Sequence, residues 1–354
     1  MAVKLNEEQL LEKLESAMNK IDTESKMPKI GIYGLSIELM EDFAKKVFRE
    51  DYYNSCCVFI DDSTSIEKQL QDIDVLWSFA NINSAIPCHT IDNISENSIL
   101  SLIEWTESVL PHKNKTAFVK HQKIHINLKE KYVNKAIAQH SAGAFAVGFN
   151  PFDIGIGDSV ILVTSEIALM GRILNIYDLE NVQQVIKTIG FSTIIGNLLT
   201  TAGRGVATGL LKLATKALGP LGWVAGGSVY GASATAVTVA FGKSISKVVK
   251  AICRAEISNN LEQIKFISEH FSEAVNGTAV DCLEKGLVSI EDYEKSGFDK
   301  ADLSFEELKS NIEKGNQLFQ DFLDKNVAAD NLFKELTSED KKKNSDMWNA
   351  INKL

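Results

Sequence analysis

The sequence predicts an α/β domain followed by an all-α region: a small parallel sheet with flanking helices, then a helical domain with an apolar hairpin of small residues, then charged C-terminal helices. Short apolar strand patterns alternate with helical periodicities before residue 130. A long run of small and apolar residues follows, and after it the sequence is charged and helical in pattern. These changes divide the chain into an N-terminal amphipathic helix (1–26), the α/β domain (27–130), the apolar helical domain (131–253) and the C-terminal helical region (254–354).

Composition excludes several classes of function. The net charge of −10 over 354 residues opposes nucleic-acid binding, because neutralising phosphates requires a basic surface. The five cysteines contain no C-x-x-C pair, so neither a zinc site nor a disulfide framework is predicted. The N-terminal segment lacks the apolar core of a signal peptide, so we expect a cytoplasmic protein.

The α/β domain is predicted element by element. An apolar segment ending in glycine, Lys29–Gly34, is the first strand, and Ser36–Arg49 has helical spacing with acidic residues in its first turns. The same patterns predict further strands at 56–60, 74–80 and 116–119 and helices at 98–110 and 128–140. Strands that alternate with helices in this way predict a parallel sheet covered by helices.

This order of elements resembles an Era-like small GTPase domain whose nucleotide motifs are degenerate. The phosphate loop of that family is G-x-x-x-x-G-K-[ST], but the segment Gly34–Met40 reads GLSIELM, with no second glycine and no lysine. The D-x-x-G segment is reduced to Asp61 and its neighbours, and the guanine-reading N-K-x-D falls at the residues QKIH, which contain Lys123. The degenerate nucleotide-site positions are therefore Gly34, Ser36, Asp61 and Lys123, and the resemblance implies a scaffold that holds no nucleotide.

A second resemblance covers residues 134–249, which are similar to the YcjF-like helical domain, of unknown function, that follows GTPase domains in bacteria. The residues that carry it are Ala142–Val147, Pro151, Asp158, Met170, Ile176, Tyr177 and the run from Gly190 to Gly242. The sequence departs from that family at Asp178, where glycine is usual. The resemblance implies a bacterial cytoplasmic protein with a helical association domain.

The apolar run has two interpretations. Residues 217–242 are uncharged and long enough to span a bilayer as a helix, and lysines follow them. The run is nevertheless built mainly from small residues, which favour close helix packing in a protein interior. A buried hairpin is therefore the first interpretation and a hairpin that enters or rests on a membrane the second. The residues predicted to contact a membrane or a partner are Gly219, Pro220, Trp223, Gly226, Gly227, Phe241, Lys243 and Lys247.

Metal and catalytic motifs are weak in this sequence. Asp153 and Asp158 flank glycines and suggest a metal site, but turn and helix N-cap roles account for them better. His121 and His125 are four residues apart, as zinc ligands on a helix can be, yet the lysines around them favour a basic surface patch. The sequence also has no G-x-S-x-G nucleophile motif, so we predict no catalytic residue, cofactor or metal.

Together these observations predict a non-catalytic protein- or membrane-association module on a nucleotide-free GTPase-like scaffold. Its partner would be another protein or a second copy of the chain. A membrane-inserting or pore-forming effector, which would be a peripheral or integral protein of the cytoplasmic membrane, is the alternative. An atypical GTPase is the third interpretation.

Overall fold

The computed structural model describes residues 26–63, 65–148, 168–179, 222–271, 273–275, 277–278, 342 and 344–354. The described residues up to Lys129, together with Ile176–Asp178, form one compact unit, which we call the sheet unit. The other described residues form a second, the helical unit. The predicted N-terminal amphipathic helix, the first arm of the apolar hairpin, Asp153 and Asp158 lie outside the described residues.

The sheet unit is built on a four-stranded parallel sheet, which confirms the predicted fold class. Its strands are β1 (Ile30–Tyr33), β2 (Cys57–Ile60), β3 (Val75–Ser78) and β4 (Cys88–Thr90), and their spatial order is β2-β1-β3-β4. Ile30 is in register with Cys57 of β2 on one side and with Val75 of β3 on the other. Both central strands are largely buried, which explains their nearly continuous apolar sequences.

Helices connect and cover these strands. The first, α1 (Ile37–Val47), begins at Ser36, whose hydroxyl accepts a hydrogen bond from the Leu39 N–H. Ser95 caps α4 (Glu96–Val109) in the same way, by accepting from the Ser98 N–H. The remaining helices of the sheet unit are α2 (Glu50–Cys56), α3 (Ile66–Gln69), α5 (His112–His121) and the first turn of α6 (Ile126–Gly148).

Aromatic side chains fill the space between the sheet and its helices. Trp77 on β3 is fully buried, stacks on Phe48 at a centroid distance of 5.8 Å and meets the edge of Phe43 at 5.9 Å. Its indole N–H donates to the Thr106 hydroxyl on α4 at 2.9 Å, so the polar atom of this large side chain is satisfied. The third strand is thereby fixed to helices that precede and follow it in the chain.

The predicted strand at 116–119 is wrong, because these residues belong to α5. The buried positions Asn114, Ala117 and Phe118 follow the helical spacing of three and four, which the short apolar run Ala-Phe-Val conceals. The fourth strand is instead Cys88–Thr90, a half-buried segment of three residues after Pro87. Its polar, short sequence is typical of an edge strand and gives little strand signal.

The described helices of the helical unit are α6 from Glu130 onward, α7 (168–177), α8 (Gly222–Ile257), α9 (Leu261–Glu269) and α10 (344–353). The last two residues of α7, Ile176 and Tyr177, belong to the sheet unit. Gly242 of α8 lies against α6 and α7, because an added Cβ would come 2.7 Å from Ile137 Cγ1 and 3.2 Å from Leu169 Cδ2. This contact supports the prediction that small residues in the apolar run serve close helix packing. The amide of Gln263 on α9 donates to the Ile351 carbonyl at 2.8 Å, so α10 packs beside α9.

Candidate functional site

Three of the four predicted nucleotide-site positions lie at the carboxyl edge of the sheet. Gly34 directly follows β1, Ser36 caps α1, and Asp61 directly follows β2. With this strand order the chain leaves β1 toward β2 on one side of the sheet and leaves β3 toward β4 on the other side. Ligands of open α/β proteins bind outside the carboxyl ends of two such neighbouring strands. The fold therefore places Gly34, Ser36 and Asp61 where a ligand would be expected.

The loops at this edge are in close contact. Gly34 has a φ of +93°, and an added Cβ would come 2.9 Å from the backbone nitrogen of Ala80, which follows β3. Glycine is required here because an L side chain is strained at this φ and would meet backbone atoms. The glycine that matches the phosphate loop thus has a structural role in packing the β1 and β3 loops together.

The charge at this edge is negative. The Tyr33 hydroxyl donates to Asp62 at 3.2 Å, and this hydrogen bond and the charge of Asp62 raise the pKa of Tyr33. Asp61 accepts from both the N–H and the hydroxyl of Ser63, which lowers the pKa of Asp61 and keeps it ionised. Two carboxylates therefore lie beside the place where a nucleotide phosphate would bind, and they would repel it.

Lys123 is not part of this edge. Its N–H donates to the Val47 carbonyl at 2.9 Å, at the far end of α1 from Ser36. Because α1 has 11 residues and a helix rises ~1.5 Å per residue, the two ends are roughly 16 Å apart. The position expected to read a guanine base is consequently on the opposite side of the sheet unit.

A buried ionic cluster around Asp178 is the site that the sequence interpretation missed. Asp178 ends α7 with a φ of +59°, and the Leu179 N–H donates to the Leu174 carbonyl at 3.1 Å, as in a Schellman motif. Its carboxylate is fully buried, 3.8 Å from Arg49 Nε and 3.5 Å from His121 Nδ1. Arg49 also donates to the Asp178 carbonyl at 2.6 Å. The Asp178 carboxylate thereby pairs with the Arg49 guanidinium and lies beside the His121 ring.

Lys129 and Tyr52 are the remaining members of this cluster. The ammonium group of Lys129, 2% exposed, donates to the carbonyls of Lys120 and Tyr177. The ring of Tyr52 stacks on that of His121 at a centroid distance of 3.6 Å, and its hydroxyl lies 3.5 Å from Asp178 Oδ1. These contacts join α2, α5 and the start of α6 to the end of α7 within the sheet unit.

Burial and charge set the protonation states of the cluster. Burial lowers the pKa of His121, and the neighbouring Asp178 offsets this only in part, so the imidazole is neutral at neutral pH. Burial opposes ionisation of Asp178, but the interactions with His121, Arg49 and Lys129 outweigh it and lower the pKa of Asp178. The cluster at pH 7 is therefore an ionised carboxylate beside the Arg49 guanidinium and a neutral histidine.

Acidification is expected to destabilise the sheet unit in two steps. The pKa of His121 is lower in the folded protein than in the unfolded chain, so on acidification His121 is protonated in the unfolded chain first. The free energy of unfolding therefore falls as the pH drops below about 6.5, until the pH is below the pKa of His121 in the folded protein. The contribution of Asp178 is present above about pH 3.9 and is lost as pH falls through its lowered folded pKa. Urea midpoints measured against pH should show both steps.

The variant His121→Asn is the control for this pH dependence, because asparagine can donate a hydrogen bond and does not titrate. The other histidines remain in the variant, so the difference between the two pH curves reports His121 alone. An unchanged step near pH 6.5 in the variant would contradict the assignment.

The predicted basic surface patch around His121 and His125 is wrong. The His125 side chain is 8% exposed and its Nε2 lies 2.9 Å from Glu104, and Lys120 is 4% exposed. His121 ends α5 and His125 precedes α6, so the two do not share a helix. Among the described residues no group of three or more histidine, cysteine, aspartate or glutamate side chains could hold a metal ion.

Lys243 and Lys247, predicted to contact a membrane or a partner, line a pocket in the helical unit. Its volume is about 510 Å³. Lys250 and Arg254 continue the same face of α8, and Trp348 of α10 lies opposite, with Lys247 Nζ 4.3 Å from its ring centroid. We call this the basic pocket. Its other lining residues are Glu130, Ser246, Ala251, Gln263, Thr278, Ile351 and Asn352.

The other predicted contact residues differ in position. Phe241 is 4% exposed and belongs to the core of the helical unit. Trp223, Gly226 and Gly227 lie in the first turns of α8, and Gly219 and Pro220 lie outside the described residues. Within the described ranges, no helix combines the length and the apolar character needed to cross a bilayer.

Comparison of the chain with family models, curated proteins and solved structures finds no match.

Proposed function

We propose that this protein is a non-catalytic association module in which a nucleotide-free, GTPase-like sheet unit carries a helical domain that contacts a protein partner or a membrane. The observation that carries this proposal is the carboxyl edge of the sheet. Gly34 is used to pack two loops together, and the carboxylates of Asp61 and Asp62 stand beside it. A phosphate-binding loop needs open backbone N–H groups and a lysine instead.

The association partner is proposed to be another protein or a second copy of the chain. The sheet unit has a well-packed core with its polar indole satisfied, as a stable scaffold needs. The residues at its ligand edge bond to one another, as in the Tyr33–Asp62 pair, and this arrangement suits a structural role better than turnover of a substrate.

Adding GTP with Mg²⁺ is expected to leave the stability of the protein unchanged. A ligand at 100 times its Kd stabilises the folded state by about 2.7 kcal/mol, which raises the melting temperature measurably. Differential scanning fluorimetry of the full chain, with ATP and Mg²⁺ as the matched comparison, measures this effect. Guanine nucleotide that co-purifies in stoichiometric amount, or a melting temperature raised by GTP alone, would overturn the proposal.

A membrane-inserting protein is the second candidate. The sequence feature that favours it is the uncharged run 217–242 followed by Lys243, Lys247 and Lys250, whereas no described helix has the apolar character needed to cross a bilayer. Flotation with neutral vesicles distinguishes the candidates, because an inserting hairpin floats with vesicles that carry no charge. A protein that stays at the bottom of the gradient supports the association module.

A further inference from the structure

We propose that the adjacent cysteines Cys56 and Cys57 form a two-sulfur site that chelates a trivalent arsenical, an arsenic(III) compound with one organic group or hydroxide. The two side chains meet where α2 ends and β2 begins, with their Sγ atoms 3.6 Å apart. This inference goes beyond the proposed function and does not depend on it, because the pair lies at the amino end of β2, whereas the nucleotide-like edge follows its carboxyl end.

The backbone on both sides of the pair is held in place. The Cys57 N–H donates to the Tyr53 carbonyl and closes the last turn of α2. Cys57 is also in parallel register with Ile30 of the central strand β1. The two sulfurs are therefore brought together by a helix end and a strand start that the fold fixes, so a ligand that needs both sulfurs does not have to order the chain first.

The distance between the sulfurs selects the kind of ion. With sulfur–metal bonds of about 2.3 Å, as in zinc sites, two sulfurs 3.6 Å apart meet a shared atom at an angle of roughly 100°. An ion that prefers a linear pair of sulfurs, as Cu(I) and Hg(II) do, would need them about 4.6 Å apart. Arsenic(III) is pyramidal, because a lone pair occupies its fourth position, and its bond angles are close to the angle that this pair offers.

The number of protein ligands also favours arsenic(III) over zinc. A zinc site takes three or four protein ligands. Among the described residues no group of three or more histidine, cysteine, aspartate or glutamate side chains could hold a metal ion. Arsenic(III) needs only two protein sulfurs, because its third ligand is its own organic group or hydroxide.

The protonation of the pair suits condensation better than nucleophilic attack. The hydrogen bond between the two thiols, together with burial, raises the pKa of Cys57, so this thiol is neutral at pH 7. A neutral thiol reacts slowly with alkylating agents, which require a thiolate. An arsenic(III) oxide, R–As=O, instead takes up both thiols: two As–S bonds form, the As–O bond breaks, and the two thiol protons leave with the oxygen as water. Arsenic stays trivalent, and no oxidant is consumed.

Access and the cost of oxidation are compatible with this role. Cys57 is half-buried and Cys56 is buried in contact with it, so arsenic reaches Cys57 first and Cys56 second. A disulfide between the two would be strained, because adjacent Cα atoms are about 3.8 Å apart and ordinary disulfides span at least about 4.4 Å. A strained disulfide is easily reduced, so the pair stays available as thiols.

Intact mass spectrometry of the full chain with phenylarsine oxide tests the proposal. The protein is kept reduced by a phosphine, which offers no thiol. We expect an adduct of one phenylarsenic group that survives an excess of the monothiol mercaptoethanol and is removed by ethanedithiol. It survives because the second As–S bond forms within the site, an advantage of about 100-fold or more over a single thiol. An adduct that the monothiol removes would overturn the proposal.

Cys57→Ser is expected to lose the monothiol-resistant adduct, and Cys88→Ser is the matched control. Cys88 is half-buried, as Cys57 is, but it lies on the edge strand β4 and has no adjacent cysteine. The control should therefore keep the adduct in full. Retention of the adduct in Cys57→Ser, or its loss in Cys88→Ser, would assign the arsenic to other thiols and contradict the site.

The melting temperature distinguishes a preformed site from an incidental pair of adjacent thiols. Adjacent cysteines of an unfolded chain can also bind arsenic, but a ligand stabilises the fold only where it binds the folded state more tightly. Phenylarsine oxide should therefore raise the melting temperature of the unmodified protein and of Cys88→Ser, and leave that of Cys57→Ser unchanged. An unchanged or lowered melting temperature in the unmodified protein would show that the fold does not build the site.

Discussion

Replacing Asp178 with asparagine is expected to lower the free energy of unfolding of the sheet unit by about 3 kcal/mol, because it leaves buried cations without their carboxylate. The Arg49 side chain is 10% exposed and Lys129 is buried, and both would lose the carboxylate that offsets their charge. Asparagine tolerates a left-handed backbone, so the effect of charge is separated from that of conformation. Hydrogen exchange of the amides in β1 and β3 measures the stability of this unit.

The chain contains a matched control for the Asp178 substitution. Asn259 ends α8 with a φ of +53°, and the Asn260 N–H donates to the Ala255 carbonyl at 2.8 Å, so both helices end in the same motif. Asn259 is exposed. Asn259→Gly should therefore change stability by only a few tenths of a kcal/mol, whereas Asp178→Gly should cost as much as Asp178→Asn. Similar small effects at both positions would show that the cluster does not stabilise the fold.

The sequence predicts the centre of the sheet unit well because its signals are local. The strands Ile30–Tyr33 and Val75–Ser78 are buried on both faces, and such strands have continuous apolar sequences. The helix after β1 is marked by its serine cap and by the spacing of its buried residues. The short helix Glu50–Cys56 and the edge strand Cys88–Thr90 lack such signals and were missed.

The candidate sites are predicted less completely, because they are made by residues far apart in the chain. Gly34 and Asp61 follow predicted strands, so their common edge can be inferred from the topology of parallel sheets. Asp178 is 129 residues from Arg49, and no pattern in the sequence pairs them. The one available signal is the aspartate at the position where the predicted resemblance expects glycine. Trp348 of α10 lines the basic pocket together with lysines of α8, which are far from it in the sequence, so no local pattern predicts this contact.

Replacing Gly34 with alanine is expected to lower the free energy of unfolding by about 3 kcal/mol in the absence of any ligand. A backbone at φ +93° strains an L residue, and the new Cβ would lie 2.9 Å from the Ala80 nitrogen, which belongs to the backbone and cannot rotate away. Chemical denaturation of the variant and the unmodified protein, monitored by hydrogen exchange in the sheet, measures the difference.

Gly31→Ala is the control that identifies the cause. Gly31 lies in β1, and an added Cβ there would come 2.8 Å from Ile60 Cδ1, the end of a flexible side chain that can move. We expect a smaller cost, of about 1–2 kcal/mol, because the crowding of core side chains is partly offset by the lower entropy of the unfolded alanine chain. If Gly34→Ala were tolerated as well as Gly31→Ala, the close contact of the β1 and β3 loops would not be essential, and a ligand could open this edge. A large cost only at Gly34 assigns the glycine to the packing of the scaffold, as the nucleotide-free proposal requires.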